Sequence, residues 1–245
     1  MKSIFLKEMT SFLGALSGYV ALVLFLATAG LVLWVLPDSD ILLYGYASME
    51  QFFRFAPWLL AFLIPAITMK SFSEEFSQGT IEWLMTKPLS YSRIILGKFL
   101  ASFVLVIIAL LPTLIYLFSI QWLALDGALL DYGAIMGAYF GLLLLVAAFT
   151  AIGLFCSSLT GNQIISFLAA LFVCLIFYDG FSEFSEIPAF SGGADYYLAM
   201  PGMDFHFNNL GRGLIDLRDV VYFLSVTALF MALNRYSLQR RSLNG

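Results

Sequence analysis

Charge is scarce in this chain. Only 11% of its 245 residues are Asp, Glu, Lys or Arg, and 61% are hydrophobic, whereas a soluble domain has about a quarter charged and about half apolar. With a mean hydropathy of +0.93, the chain is expected to form one membrane domain over residues 1–245. A net charge of −4 argues against a nucleic-acid partner, which needs clustered Lys and Arg. Cysteine is limited to Cys156 and Cys174, both inside apolar runs, so these read as small core residues rather than a disulfide.

Catalytic signatures are missing as well. No G-x-x-x-x-G-K-[ST] is present, so the chain does not bind ATP in the usual way. It has no H-E-x-x-H and no Cys/His cluster, and neither a metal nor a cofactor is expected in it. The single histidine, His206, lies among aromatic residues and reads as an interfacial side chain rather than a ligand or general base. No ionisable residue falls near the middle of an apolar run, which argues against a secondary transporter, since such proteins use intramembrane charge.

What the chain does have is apolar length. A hydrocarbon core of roughly 30 Å takes about 20 helical residues. Six stretches read as spans: Ser17–Leu36, Phe55–Met69, Ile94–Leu123, Tyr132–Phe155, Ile164–Tyr178 and Val220–Leu233. The predicted fold class is an all-α integral membrane protein with six transmembrane helices. Ahead of them, Met1–Leu16 places Phe5, Met9, Phe12, Leu13 and Leu16 at helical spacing, with Lys7 and Thr10 facing away. That pattern predicts an amphipathic interfacial elbow helix. Pro65 is expected to kink the second span, and Pro112 interrupts the third. In the fourth, Gly133, Gly137 and Gly141 form one stripe, a candidate face for close helix packing. Spacing does not decide between packing within the chain and packing between subunits; the former is the reading adopted.

Ser157–Gln163 reads as a tight polar turn, and Phe181–Arg218 as an aromatic-rich outer loop with room for short helices. Asp216, Arg218 and Asp219 read as a local charge network at the start of the last span. The positive-inside rule fixes the orientation. Lys2, Lys7, Lys70, Lys87, Arg93, Lys98, Arg235, Arg240 and Arg241 fall on one side, against Arg54, Arg212 and Arg218 on the other. Both termini are therefore expected in the cytoplasm.

The loop at 72–93 is the sizeable polar interruption on that basic side. It offers an acidic pair (Glu74, Glu75), a turn (Gly79, Thr80) and a short helix Ile81–Thr86 stopped by Pro88. Ile81, Leu84 and Met85 share one helical face. Ser90 suits the N-cap of the next helix. Two readings stand: a surface that docks on another protein, or a solvated loop on the lipid headgroups.

The motif E-x-x-x-G-T-x-E-x-L, followed by K-P-L-S and G-K, covers Glu75, Gly79, Thr80, Glu82, Leu84, Lys87–Ser90, Gly97 and Lys98. It resembles the first cytoplasmic loop of type-2 ABC transporter permeases. The MKSIFLKE start, the PAITM-x-SFSEE junction and the RGLIDLRDVVYFL end are similar to the permease of the gliding-motility-associated ABC transporter of Bacteroidota. Phe76-Ser77-Gln78 departs from the more basic segment expected there.

The resemblance implies a non-catalytic permease subunit of the bacterial inner membrane. It implies that Glu74, Glu75, Gly79, Thr80, Ile81, Glu82, Leu84, Met85 and Pro88 form the interface with a cytoplasmic ABC ATPase, which would bind the ATP and Mg. A second permease-type subunit, or a second copy of the chain, and membrane lipids complete the implied partners. ATP hydrolysis would then drive transport or mechanical work. The alternatives are an exporter of a small molecule, lipid or drug, and a non-transporting scaffold that operates an outer machine.

Overall fold

The computed structural model describes residues 1–35, 49–80, 90–123, 131–187, 194–213 and 215–244. Among the described residues there are helices and no strand. In chain order they are α1 (Lys2–Leu13), α2 (Leu16–Trp34), α3 (Glu50–Thr68), α4 (Lys70–Ser77), α5 (Tyr91–Leu110), α6 (Leu114–Leu123), α7 (Tyr132–Leu159), α8 (Gln163–Leu175), α9 (Phe181–Ser185), α10 (Ala194–Ala199), α11 (Met203–Gly211) and α12 (Leu217–Asn244).

Among the described residues, five stretches are long and apolar enough to cross a membrane: Glu50–Ser77, Tyr91–Trp122, Tyr132–Leu159, Gln163–Ser185 and Leu217–Arg241. A sixth results if α1 and α2, which meet at a bend of 70°, are taken as one broken span. The joint at Gly14 and Ala15 closes with the Gly14 amide on the Thr10 carbonyl at 2.8 Å, and Gly18 gives room for Phe12 to fold back over it.

α7 is the central post. Its composition of Gly, Ala and aliphatic residues leaves it buried along most of its length, including Gly137, Gly141, Ala148, Ala151 and Gly153. Helix association in lipid depends on close backbone approach rather than on apolar contrast, and these small residues permit it. A Cβ at Gly153 would overlap the Thr68 hydroxyl at the end of α3.

Proline acts differently at its three intramembrane positions. α3 carries Pro57 and Pro65 inside its helical run. The break falls at Met69, whose amide bonds the Pro65 carbonyl at 2.8 Å. Pro112 tightens Leu111–Thr113 into a 3-10 turn between α5 and α6, because it supplies no amide to the α-helical ladder.

Several sequence boundaries are corrected. Phe72–Ser77 is helix rather than loop, since Phe72 and Glu75 are held from neighbouring helices. Ser157 and Ser158 lie buried within α7; the turn shrinks to residues 160–162, where Asn162 caps α8 by accepting the Ile164 and Ile165 amides at 2.9 and 3.3 Å. The last helix runs on to Asn244, past the expected end at Leu233. His206 is buried within the protein: its Nδ1 lies 2.6 Å from Asp219 Oδ1 and its Nε2 lies 3.0 Å from the Met200 carbonyl. Its ring stacks on Tyr222 at 3.9 Å, which fastens α11 to the start of α12. Asp216 accepts the Arg218 amide at 2.9 Å.

Candidate coupling site

The end of the bundle beside Thr68 gathers α1, α4 and α5 around one lysine. Gly97 on α5 leaves space that Ile4 of α1 fills, with a would-be Cβ 3.2 Å from the Ile4 side chain. That contact lays α1 directly on α5 and brings Glu8 beside Lys98. Lys98 is 1% exposed, yet all three protons of its ammonium find acceptors. These are Glu8 Oε1 at 2.6 Å, Glu75 Oε1 at 3.0 Å and the Ser71 carbonyl at 2.5 Å. The Phe72 ring covers it at 4.9 Å.

Lys7 approaches the same Glu75 oxygen at 2.8 Å from the solvent side. Two ammonium groups and two carboxylates thus balance in formal charge. Balance is what makes burial tolerable, because an unpaired buried charge is costly. One atom is left over: Glu75 Oε2 is buried without a hydrogen-bond partner among the described residues.

From this cluster α4 leads to the turn. Glu74 looks away from Lys98 and accepts the Gln78 amide group at 3.1 Å. Gly79 has φ +67°, with nothing near the position of a Cβ. Backbone conformation, not space, therefore calls for glycine there. Thr80 follows, exposed, its hydroxyl 3.4 Å from the Glu75 carbonyl. Ile81, Glu82, Leu84, Met85 and Pro88 lie outside the described residues. Ser90 sits at the N-cap of α5 in extended conformation (ψ 145°), without a side-chain capping bond.

The glycine stripe separates into two parts. A Cβ on Gly137 would overlap the Leu210 carbonyl, and one on Gly141 would come within 3.1 Å of the Phe207 ring. Both glycines therefore seat α11 on α7 within the chain. Gly133 is exposed, and a Cβ there would meet Asp131 Oδ1 at 3.3 Å.

Residues 38–243 match the family model described as ABC-2 family transporter protein. The chain belongs to the ABC-2 transporter family. It is a multi-pass membrane component of an ABC transporter, not its ATPase, in a family that generally works with a cytoplasmic ABC ATPase. No curated protein matches the chain.

Within this ABC-2 protein, sequence reasoning named Glu75 and Lys98 but not what joins them. Glu8 and Ser71 were passed over, and Lys7 was read only as a polar-face and positive-inside residue. One signal was legible: Lys98 is a lone charge inside the apolar run that begins at Ile94, and a lone charge in such a run needs partners.

Proposed function

We propose that this chain is the permease subunit of an ATP-binding cassette complex in the bacterial inner membrane, with both termini and the 78–90 loop between α4 and α5 in the cytoplasm. A separate ATPase docks on Ile81, Leu84 and Met85, and its open and closed states push that loop differently. A partner can shift the membrane helices only through such a difference. The observation that carries the reading is the Lys98 cluster, which ties α4, the helix leading into the loop, to α1 and to the start of α5. A push on the loop is thus delivered to three helices together.

The work done is transport or mechanical force across the membrane. The likeness of the MKSIFLKE start and the RGLIDLRDVVYFL end to gliding-motility permeases supports mechanical work on an outer machine. A second copy of the chain, or another permease subunit, completes the membrane part.

The test is the ratio of ATPase to permease when the chain is purified with its native neighbours. Leu84→Asp would bury an unpaired carboxylate in the ATPase groove and should lose the ATPase while the permease stays inserted and folded. Glu82→Arg should have a smaller, salt-dependent effect. A wild-type ratio for Leu84→Asp would overturn docking through this helix.

A further inference from the structure

A cavity of about 940 Å³ opens at the far end of the bundle from Lys98. α3 separates the two: its 19 residues span roughly 28 Å at 1.5 Å each. Three helix faces converge on the cavity. α3 contributes Glu50, Arg54 and Trp58, spaced four apart, and α11 with its C-cap contributes Asp204, Asn208 and Arg212 at the same spacing. Residues four apart share a face. The opposite face of α11 holds Met203 and Leu210, both buried, so its polar edge is turned into the cavity. Tyr178 and Asp179 enter from the π-helical segment Ile176–Gly180.

Charge accounting shows which groups are engaged. Asp131 at the rim accepts the Ala134 amide at 3.0 Å and so caps α7. Asp204 accepts the Asn208 side-chain amide at 2.8 Å, and Glu50 has a partner of its own. Among the described residues, none of the four ion pairs includes Arg54, Arg212 or Asp179. The lining thus carries two guanidinium groups and four carboxylates, Glu50, Asp131, Asp179 and Asp204, a net negative space in which Arg54, Arg212 and Asp179 belong to none of those ion pairs. Behind them, Trp58 and Tyr178 meet edge to face at 6.1 Å and make an aromatic wall.

Guanidinium groups recognise phosphate, a carboxylate recognises an ammonium, and an indole at this level suits the headgroup boundary. The volume is near the upper end of small-molecule sites, roughly 300–1,000 Å³, which leaves room beyond a bare phosphate. We propose that this cavity binds the headgroup of an ethanolamine phospholipid, with Arg54 and Arg212 taking the phosphate and Asp179 the ammonium. The site is separate from the coupling end, and its occupancy needs no ATPase.

The purified chain in detergent can be titrated by native mass spectrometry with three probes: phosphatidylethanolamine, phosphatidylglycerol of the same acyl chains, and soluble glycerophosphoethanolamine. The ethanolamine lipid should bind about tenfold tighter than the glycerol lipid, the worth of one charge-assisted hydrogen bond. Asp179→Asn should erase that preference while leaving the melting temperature unchanged. Arg212→Gln and Arg54→Gln should each weaken both lipids. Equal binding of the two lipids by the wild type, or a preference that survives Asp179→Asn, would overturn the proposal. So would glycerophosphoethanolamine binding as tightly as the lipid, since the ligand would then be a soluble phosphate ester. The readout involves only the lipid, so it stands or falls apart from retention of the ATPase.

Discussion

Ser157 Oγ donates to the Met69 carbonyl at 3.0 Å, and the same oxygen accepts the Phe72 and Ser73 amides at 3.0 and 3.1 Å. A hydroxyl has one donor and two acceptor sites, so all three are used. Met69 itself gives α4 no side-chain cap; α7 supplies one from 84 to 88 residues away. Ser157→Ala should therefore destabilise the protein by about 1–3 kcal/mol, the cost of leaving buried polar groups unmatched. Ser157→Thr keeps the hydroxyl and should lose less. Thermal melting of the two purified variants decides this, and an unchanged Ser157→Ala melt would contradict it.

Lys98 and Lys7 share Glu75 but differ in exposure, 1% against 60%. Removing the buried partner strands Glu8 and leaves Glu75 with Lys7 alone, a loss of about 3–5 kcal/mol. Removing the exposed one costs at most about 1 kcal/mol. Lys98→Met should lower the yield and melting temperature sharply, and Lys7→Ala should barely move them. Comparable effects of the two would mean that the cluster does not hold α1, α4 and α5 together.

Gly137→Leu should push α11 off α7, because even a Cβ there collides with the Leu210 backbone, and backbone has no flexible end to yield. Gly141→Ala meets the Phe207 ring and the Leu210 side chain at 3.1 Å or more and should cost less. Gly133→Ala, on the exposed stretch, should be nearly silent. Melting behaviour across the three measures the gradient, and a flat series would show that the α7–α11 contact is unimportant for stability.

Orientation is open to thiol labelling in intact cells. Native Cys156 and Cys174 are buried and should stay silent. A cysteine at Ser77, exposed at the end of α4, should be shielded from an impermeant reagent, whereas one at Ser191 should react. Labelling at Ser77 would reverse the topology.

Burial pushes the Asp204 carboxyl above its usual range, against hydrogen bonds from Tyr178, Asn208 and Ser182 that pull it down. The folded chain thus holds this proton to higher pH than the unfolded one. The resulting stability is complete below the ordinary carboxyl value of 3.8 and is lost as pH rises through the folded value. Asp204→Asn should flatten that slope and melt above the wild type at neutral pH. An unchanged pH profile would show that Asp204 does not contribute to it.

Five spans were legible because each contains a long apolar run, though the first expected one reaches spanning length only together with α1; the Gly137–Gly141 stripe was legible because small residues four apart mark one helix face. α4 was not, since KSFSEEFS has the composition of a loop. Its helicity depends on Ser157 and Lys98, partners 85 and 27 residues away. The ends of α7 and α12 were misplaced for a related reason: both helices outrun their apolar segments, and hydropathy cannot mark where a helix stops in water. His206 was misread because its partner Asp219, 13 residues on, had been assigned to a separate network.

The length of α12 has a mechanical consequence. Its 28 residues make a rod of about 42 Å, longer than the roughly 30 Å core. The overhang ends in Arg241, which donates to the Leu159 carbonyl and lies over the Phe76 ring at 4.3 Å. The far end is pinned to α11 through Asp219 and His206. Such a rod acts as a lever. Were it to move rigidly, a tilt of about 10° around its midpoint would swing each tip by about 4 Å, so a stroke at Phe76 would reach α11 as a displacement of equal size and opposite sense.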